Sequence, residues 1–263
     1  MNIKLIALDM DGTLLDSDKN MPESFIPWVK AHPSVKTVIA SGRQYYTILR
    51  DFPAFSDDLV IVAENGALIF DHGEQIFMDS MPKEDIHKAL NIVESMSDEI
   101  VPIVCGRQSA YILSSVSEEA FNQSAIYYER IKRVDDLHFW ADNDDILKIA
   151  LFFAKCDAEG YLGSFEELGS GVCAILSGDR WIDIANKSVN KGSAIRFMLS
   201  KFNISPDEAA AFGDYLNDAS MLEACTESYC MENGHPDLKA ISKHIAPSND
   251  DDGVMRVLSK IVD

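Results

Sequence analysis

The sequence predicts an α/β chain: a doubly wound, mainly parallel sheet interrupted by an inserted α+β module. Three observations carry this prediction. The first apolar run, Ile3–Leu8, is continuous rather than alternating, as in a strand buried on both faces. Apolar runs and helix-like segments alternate after it, and the same alternation returns after Lys191. Between the two lies a stretch with hairpin signals that does not keep the βα rhythm.

Strands are expected at Ile3–Leu8, Val35–Ala40 and Leu59–Ala63, separated by helices around Pro22–Ala31 and Gln44–Leu49. Glu64-Asn65-Gly66-Ala67 then reads as a hairpin turn before two short strands, Leu68–Phe70 and Gln75–Met78. The module opens with an amphipathic helix, Lys83–Met96, followed by strands Ile100–Cys105 and Ala110–Leu113. Helix Ser117–Tyr127, strand Ile146–Phe153 and a helical Ala158–Leu168 continue it. A hairpin then joins Val172–Leu176 to Trp181–Ala185 through Ser177-Gly178-Asp179-Arg180. The last part reads as helix Lys191–Phe202, strand Ala209–Phe212, helix Asp218–Ala224 and a final helix Gly253–Val262, capped by the acidic run Asp250–Asp252. Crossings near Pro82 and Asn186–Asn190 divide the chain into 1–82, 83–186 and 187–263, the outer pieces forming one domain.

Composition narrows the partners. A formal net charge of −20 disfavours nucleic acid, whose phosphates are bound by Lys and Arg, and disfavours an anionic membrane surface. No signal peptide or membrane span is expected, because Ile3–Leu8 is short and Lys148 interrupts the best later run. The five cysteines (Cys105, Cys156, Cys173, Cys225 and Cys230) form no CxxC pair and suit reduced thiols in a cytoplasmic protein.

The chemistry concentrates at strand ends. Asp9-Met10-Asp11-Gly12-Thr13 follows the first buried strand, and carboxylates two apart on extended backbone point the same way. Turn chemistry explains Asp11-Gly12 but not a second acid at the tip of a buried strand. Ser41-Gly42-Arg43 follows the second strand, a potential anion site if a helix begins there, though Ser is also ordinary helix punctuation. Asn190-Lys191-Gly192 opens a helix at the end where a cation is least welcome; a bound phosphate would explain Lys191, which read alone is a surface lysine. Gly213-Asp214-Tyr215-Leu216-Asn217-Asp218 places two more acids and an amide after another buried strand. A few hard oxygen ligands of this kind suit Mg²⁺.

Taken in order, these segments resemble the motifs of the haloacid dehalogenase-like phosphohydrolase superfamily. Asp9–Thr13 looks like its first motif, Ser41 its second, Lys191 its third, and Gly213-Asp214 with Asn217-Asp218 its fourth. Ala40–Arg43, Glu64–Ala67, Met231-Glu232-Asn233 and Ser248-Asn249-Asp250 to Gly253-Val254 are similar to its Cof-type (IIB) branch, so the likeness spans nearly the whole chain. Tyr215 departs from the small or polar residue of that pattern, and Glu232 from its glycine.

The resemblance implies a doubly wound, mainly parallel Rossmann-like core sheet with an inserted α+β cap domain that closes over the site. It implies a Mg²⁺-dependent phosphatase for small phosphomonoesters, with sugar phosphates the expected class. Asp9 would be the nucleophile, giving an aspartyl-phosphate, and Asp11 the acid and then the base. The metal would be held by Asp9, the Asp11 carbonyl and Asp214, with Asp218 orienting or completing the site. Ser41, Gly42, Lys191 and Asn217 would hold phosphoryl oxygens, and Arg43 and Asn65 would edge the cleft. Cap cations and rings (Arg107, Arg130, Arg133, His138, Trp140, Arg180 and Trp181) are specificity candidates, each taken singly better read as a surface charge or packed ring. A phosphosugar mutase using the same carboxylates and a non-catalytic phospholigand-binding regulator are the alternatives; the second acid of the Asp9/Asp11 pair argues against the regulator.

Overall fold

The computed structural model describes residues 2–96, 100–154, 158–178 and 180–262. Its strands are β1 (Leu5–Asp9), β2 (Lys36–Ala40), β3 (Val60–Ala63), β4 (Leu68–Asp71), β5 (Glu74–Met78), β6 (Ile100–Gly106), β7 (Ala110–Leu113), β8 (Ile131–Val134), β9 (Ile146–Phe153), β10 (Val172–Gly178), β11 (Trp181–Asn186), β12 (Ala209–Gly213), β13 (Glu227–Met231) and β14 (His244–Ala246). Its helices are α1 (Phe25–Ala31), α2 (Tyr45–Asp51), α3 (Phe55–Asp58), α4 (Lys83–Glu94), α5 (Glu118–Ala125), α6 (Leu137–Asn143), α7 (Lys191–Phe202), α8 (Ala219–Glu223), α9 (Pro236–Ile241) and α10 (Gly253–Ile261). None of the described helices is long and apolar enough to cross a membrane.

The chain forms two compact units. The first comprises Met1–Tyr45, Phe52–Met78 and Asn190–Asp263; the second comprises Tyr46–Asp51 and Asp79–Val189. The first is built on an eight-stranded sheet in the order β14-β13-β12-β1-β2-β3-β4-β5. Pairings from β14 to β3 are parallel, and those of β4 and β5 are antiparallel. β1 lies between β2 and β12, and all five of its residues are buried, which is why its sequence is an unbroken apolar run ending in one acid. The chain leaves β1 toward β2 on one side and later returns to β12 on the other. That reversal makes the carboxyl ends of β1 and β12 a topological switch point, where open α/β sheets bind ligands.

The second unit is a six-stranded sheet, β10-β11-β9-β6-β7-β8, antiparallel except for β7 with β8. Ile86, Ala89, Leu90 and Val93 recur at helical spacing along α4 and share a core with Leu137 and Ala141 of α6 and Ile149, Leu151 and Phe153 of β9. A separate cluster contains Val101, Ile103, Ala150 and Phe152 with Ala120 and Tyr128.

Several local expectations differ from the structure. The helical reading of Ala158–Leu168 is a 3-10 segment, Glu159–Phe165. β8 and α6 were not expected. β8 is an edge strand carrying Lys132 and Arg133, charges that discourage edge pairing and also erase the apolar signature. α6 has seven residues, too few to display a period, although Asp136 caps it by accepting from the Phe139 N–H at 3.1 Å. Asp252 stands at the start of α10 but makes no side-chain cap; Asp250 instead accepts from Ser17, from its N–H at 2.7 Å and its hydroxyl at 2.9 Å. Cys105, Cys173, Cys225 and Cys230 are free thiols, while Cys156 and Asp179 lie outside the described residues.

Candidate active site

The site lies in the first unit, at the carboxyl ends of β1 and β12 and the start of α7. Asp9 ends β1 and is buried. Asn190 caps α7: its side chain accepts from the Ser193 N–H at 2.8 Å while Ser193 Oγ receives the Asn190 N–H at 3.2 Å. With that turn fixed, Lys191 points inward and is 1% exposed. It is no surface lysine. Its Nζ donates to Asp9 Oδ1 and Asp218 Oδ1, both at 2.6 Å. The next residue, Gly192, packs so tightly that an added Cβ would land on the Ser220 carbonyl.

Asp218 is fully buried, and its other oxygen accepts from the N–H groups of Asp214 (3.0 Å) and Tyr215 (3.2 Å). It therefore shapes the turn after β12 while holding Lys191. Asp214 receives the buried Thr13 hydroxyl at 3.4 Å. Gly12, at φ +83, lets the loop after β1 pass over Asp214, where a Cβ would strike its Oδ2. Asp9, Asp214 and Asp218 each offer an oxygen within 4.8 Å of the others.

Three carboxylates thus face one ammonium. Burial first, then the charge of Asp218, pushes Asp9 up to about 8 despite Lys191. The same causes push Asp214 up to about 6. Burial would lower Lys191, but Asp218 and Asp9 outweigh it and keep it protonated. The cluster carries more negative charge than Lys191 can neutralise. A divalent cation fits such a set of hard oxygens, with Asp9 and Asp214 the less encumbered donors.

Asp11 faces different neighbours. Arg43 donates to it through Nε at 2.9 Å and Nη2 at 2.6 Å, and Lys19 lies 2.9 Å away. Burial would raise its carboxyl, but this cationic fork holds it below the usual range. Ser41 is buried beyond β2, its N–H donating to the Val62 carbonyl and its hydroxyl accepting from the Arg43 N–H. It does not start a helix, because α2 begins only at Tyr45. Gly42 packs against the Asn65 side chain, whose buried Oδ1 has no hydrogen-bond partner. Asn65 takes φ +56 in the turn joining β3 to β4. Asn217 is exposed in the 3-10 turn Leu216–Asp218, and Tyr215 is exposed against His235. Glu232 sits outside the positive-φ region, so the missing glycine there imposes no backbone strain.

Sequence reasoning gave no role to Thr13, Lys19, Asn233 or Asn249. Asn233 Nδ2 donates to the Gly12 carbonyl at 2.7 Å, and Asn249 Nδ2 to the Leu15 carbonyl at 2.9 Å. The Asn249 N–H in turn bonds Asn233 Oδ1 at 3.1 Å, so the two asparagines brace the loop after β1 from the far side of the sheet order. Their positions after β13 and β14 were the available signal.

The chain matches the family model for haloacid dehalogenase-like hydrolases over residues 6–258. It is 30% identical over 270 residues to the 5-amino-6-(5-phospho-D-ribitylamino)uracil phosphatase YbjI of Escherichia coli, covering 100% of this chain and 97% of that protein. It is 24% identical to the pyridoxal phosphate phosphatase YbhA of the same organism, covering 98% of each. A crystal structure from Streptococcus mutans superposes with a TM-score of 0.85 at 27% identity, covering 98% of each chain. The chain belongs to the haloacid dehalogenase-like hydrolase family, among its phosphoric monoester hydrolases.

Proposed function

We propose that this protein is a Mg²⁺-dependent phosphatase for small phosphomonoesters of the sugar-phosphate or polyol-phosphate class, working through an aspartyl-phosphate. The observation that carries the reading is Asp9, held 2.6 Å from a buried Lys191 at the tip of the central strand, beside Asp214. The relatives named for a phosphoribityl compound and for pyridoxal phosphate support a small substrate.

Asp9 and Asp214, with the Asp11 carbonyl, would hold the cation, while Asp218 orients Lys191 and the Asp214 turn. When bound, the cation supplies the positive charge that lets an anionic phosphate approach a carboxylate. An Asp9 oxygen attacks phosphorus, the ester bond breaks, and Asp11 protonates the leaving oxygen. Asp11 then takes a proton from the water that releases phosphate and restores Asp9. To carry the proton that it donates in the first step, Asp11 must slip the Arg43 and Lys19 contacts that keep it ionised. Lys191, Ser41, the Gly42 N–H and Asn217 bind phosphoryl oxygens, and Arg43 and Asn65 flank them. The second unit is proposed as the substrate-selecting cap. Most of its candidate specificity residues are occupied within it: Trp140 stacks on Tyr111, Trp181 meets Phe152, Arg133 lies over Phe121, Arg130 over Tyr46 and Arg180 over Phe152.

The test is phosphate release from hexose phosphates, nucleotides and a phosphopeptide, with Mg²⁺ or chelator. Release from sugar phosphates that stops in chelator and returns with Mg²⁺ is expected. A phosphopeptide strongly preferred in kcat/KM, or full activity in chelator, overturns the assignment. Phosphate retained on an isomerised sugar would make the enzyme a mutase.

A further inference from the structure

Two cations converge on the side chain of Asp11, and the proposed reaction gives a substrate contact to only one of them. Arg43 Nη2 and Lys19 Nζ lie 2.6 and 2.9 Å from the same oxygen, Asp11 Oδ1. Arg43 is assigned beside the phosphoryl group, and Lys191 is buried between Asp9 and Asp218. Lys19 differs from both. Its side chain is 57% exposed, so its ammonium can follow a ligand that arrives from solvent.

The loop that carries Lys19 is tightly built and lies wholly in the first unit. The Asp16 N–H donates to the Asn20 carbonyl at 3.0 Å, and the Asn20 N–H and Nδ2 return to the two Asp16 oxygens at 2.7 and 3.1 Å. Ser17 is tied to Asp250, and the Leu15 carbonyl to Asn249. Within this turn Lys19 takes φ +66, a conformation that suits glycine or asparagine and is disfavoured for lysine. A turn that needed no side chain here would be better served by glycine. Asp16, the acid beside it, has both oxygens engaged by Asn20, while the Lys19 ammonium is turned to Asp11.

Charge gives this arrangement its consequence. In the proposed reaction Asp11 leaves both contacts to reach the ester oxygen. Two cations that shared one oxygen are then left close together without the carboxylate between them, and like charges repel. A substrate that brings an anionic oxygen of its own into that place relieves the repulsion; one that brings only hydroxyls does not. In a chain of net charge −20, a fixed pair of cations also helps an anion approach.

We propose that Lys19 is a specificity-determining residue that exchanges Asp11 for a second anionic group, a carboxylate or a phosphate, carried on the leaving group of the substrate. On the phosphatase reading, which this assignment requires, the preferred sugar and polyol phosphates are those that are also acids or bisphosphates.

The experiment measures phosphate release with Mg²⁺ from two matched pairs: glycerol 3-phosphate against 3-phosphoglycerate, and fructose 6-phosphate against fructose 1,6-bisphosphate. Wild type should prefer the second member of at least one pair by about 10-fold in kcat/KM, the scale of one charge-assisted contact. Preference in the first pair alone identifies a carboxylate, and in the second alone a phosphate. Lys19→Met should bring that ratio close to unity, mainly by raising KM for the doubly anionic substrate, and Lys19→Arg should keep most of it. Equal hydrolysis of both members of each pair by wild type overturns the inference and leaves the phosphatase reading standing. An equal loss on both members in Lys19→Met does the same, since it would mark Lys19 as a support for the loop. No release from any of the four compounds defeats the phosphatase reading and this inference with it.

Discussion

Lys148 and Lys191 are the two buried lysines among the described residues, and their surroundings differ in kind. Lys148, on β9, meets Asp183 of the neighbouring strand β11 at 3.1 Å, both side chains less than a tenth exposed. Lys191 meets two carboxylates at 2.6 Å with a third close by. The first is an ion pair set in the middle of a sheet. The second is deliberately short of positive charge, and that shortage pushes Asp9 and Asp214 upward. The Lys148–Asp183 pair ties two neighbouring strands together, whereas the excess of carboxylates around Lys191 leaves negative charge that the proposed cation would neutralise.

The largest way to sharpen this contrast is Asp9→Asn. Turnover should fall by about 10⁴-fold, because the nucleophile is lost from a unit that acts together. Above pH 8 the metal-free variant should melt no lower than wild type, since one of three crowded carboxylates has lost its charge. Steady-state phosphate release and thermal melting check both halves; substantial turnover in a folded variant would sink the covalent mechanism.

The opposite outcome is expected at the matched pair. Lys148→Met leaves Asp183 buried and alone and should cost about 3–5 kcal/mol in denaturant unfolding, with turnover per folded molecule unchanged. Lys148→Met combined with Asp183→Leu should recover most of that loss. If the double variant is as unstable as the single one, charge matching is not what the pair provides.

The smallest effect concerns pH. A carboxyl raised to about 8 holds its proton more tightly in the folded chain than in the unfolded one. Its contribution is therefore present at low pH and lost as pH rises through about 8, so metal-free protein should become less stable over that range. Mg²⁺, by replacing the proton, should flatten the decline. Melting curves from pH 5 to 9, with and without Mg²⁺, test this, and Asp9→Asn should remove part of the slope. A metal-free stability that rises over this range contradicts the unmatched-charge picture.

The parallel half of the first sheet was legible because buried strands write themselves as short, unbroken apolar runs: Ile3–Leu8 became β1, which starts two residues later, and Ala209–Phe212 became β12 nearly residue for residue. The acids at their ends were legible for the same reason, since a carboxylate interrupting such a run has few structural explanations. Polar β8 and seven-residue α6 were not, lacking either the apolar run or the length that shows a period. Asn233 and Asn249 stood out only as members of motif-like segments, and their bracing role was opaque because it depends on partners far along the chain, Asn233 reaching Gly12 across 221 positions.

Local sequence by itself determined the α/β class, the inserted module, and which strand tips bear acids, since periodicity and turn chemistry act over a few residues. Only the tertiary structure decided what those groups meet. It buried Lys191, a surface cation only when read alone, as the partner of Asp9 and Asp218, filled both oxygens of Asp218, and engaged Asp11 with Arg43 and Lys19. It also set His87 nose to nose with His138 across 51 positions. Burial and charge pairing fix a group's protonation and its free valence, and both are properties of neighbours brought together by the sheet order rather than by the chain's own succession.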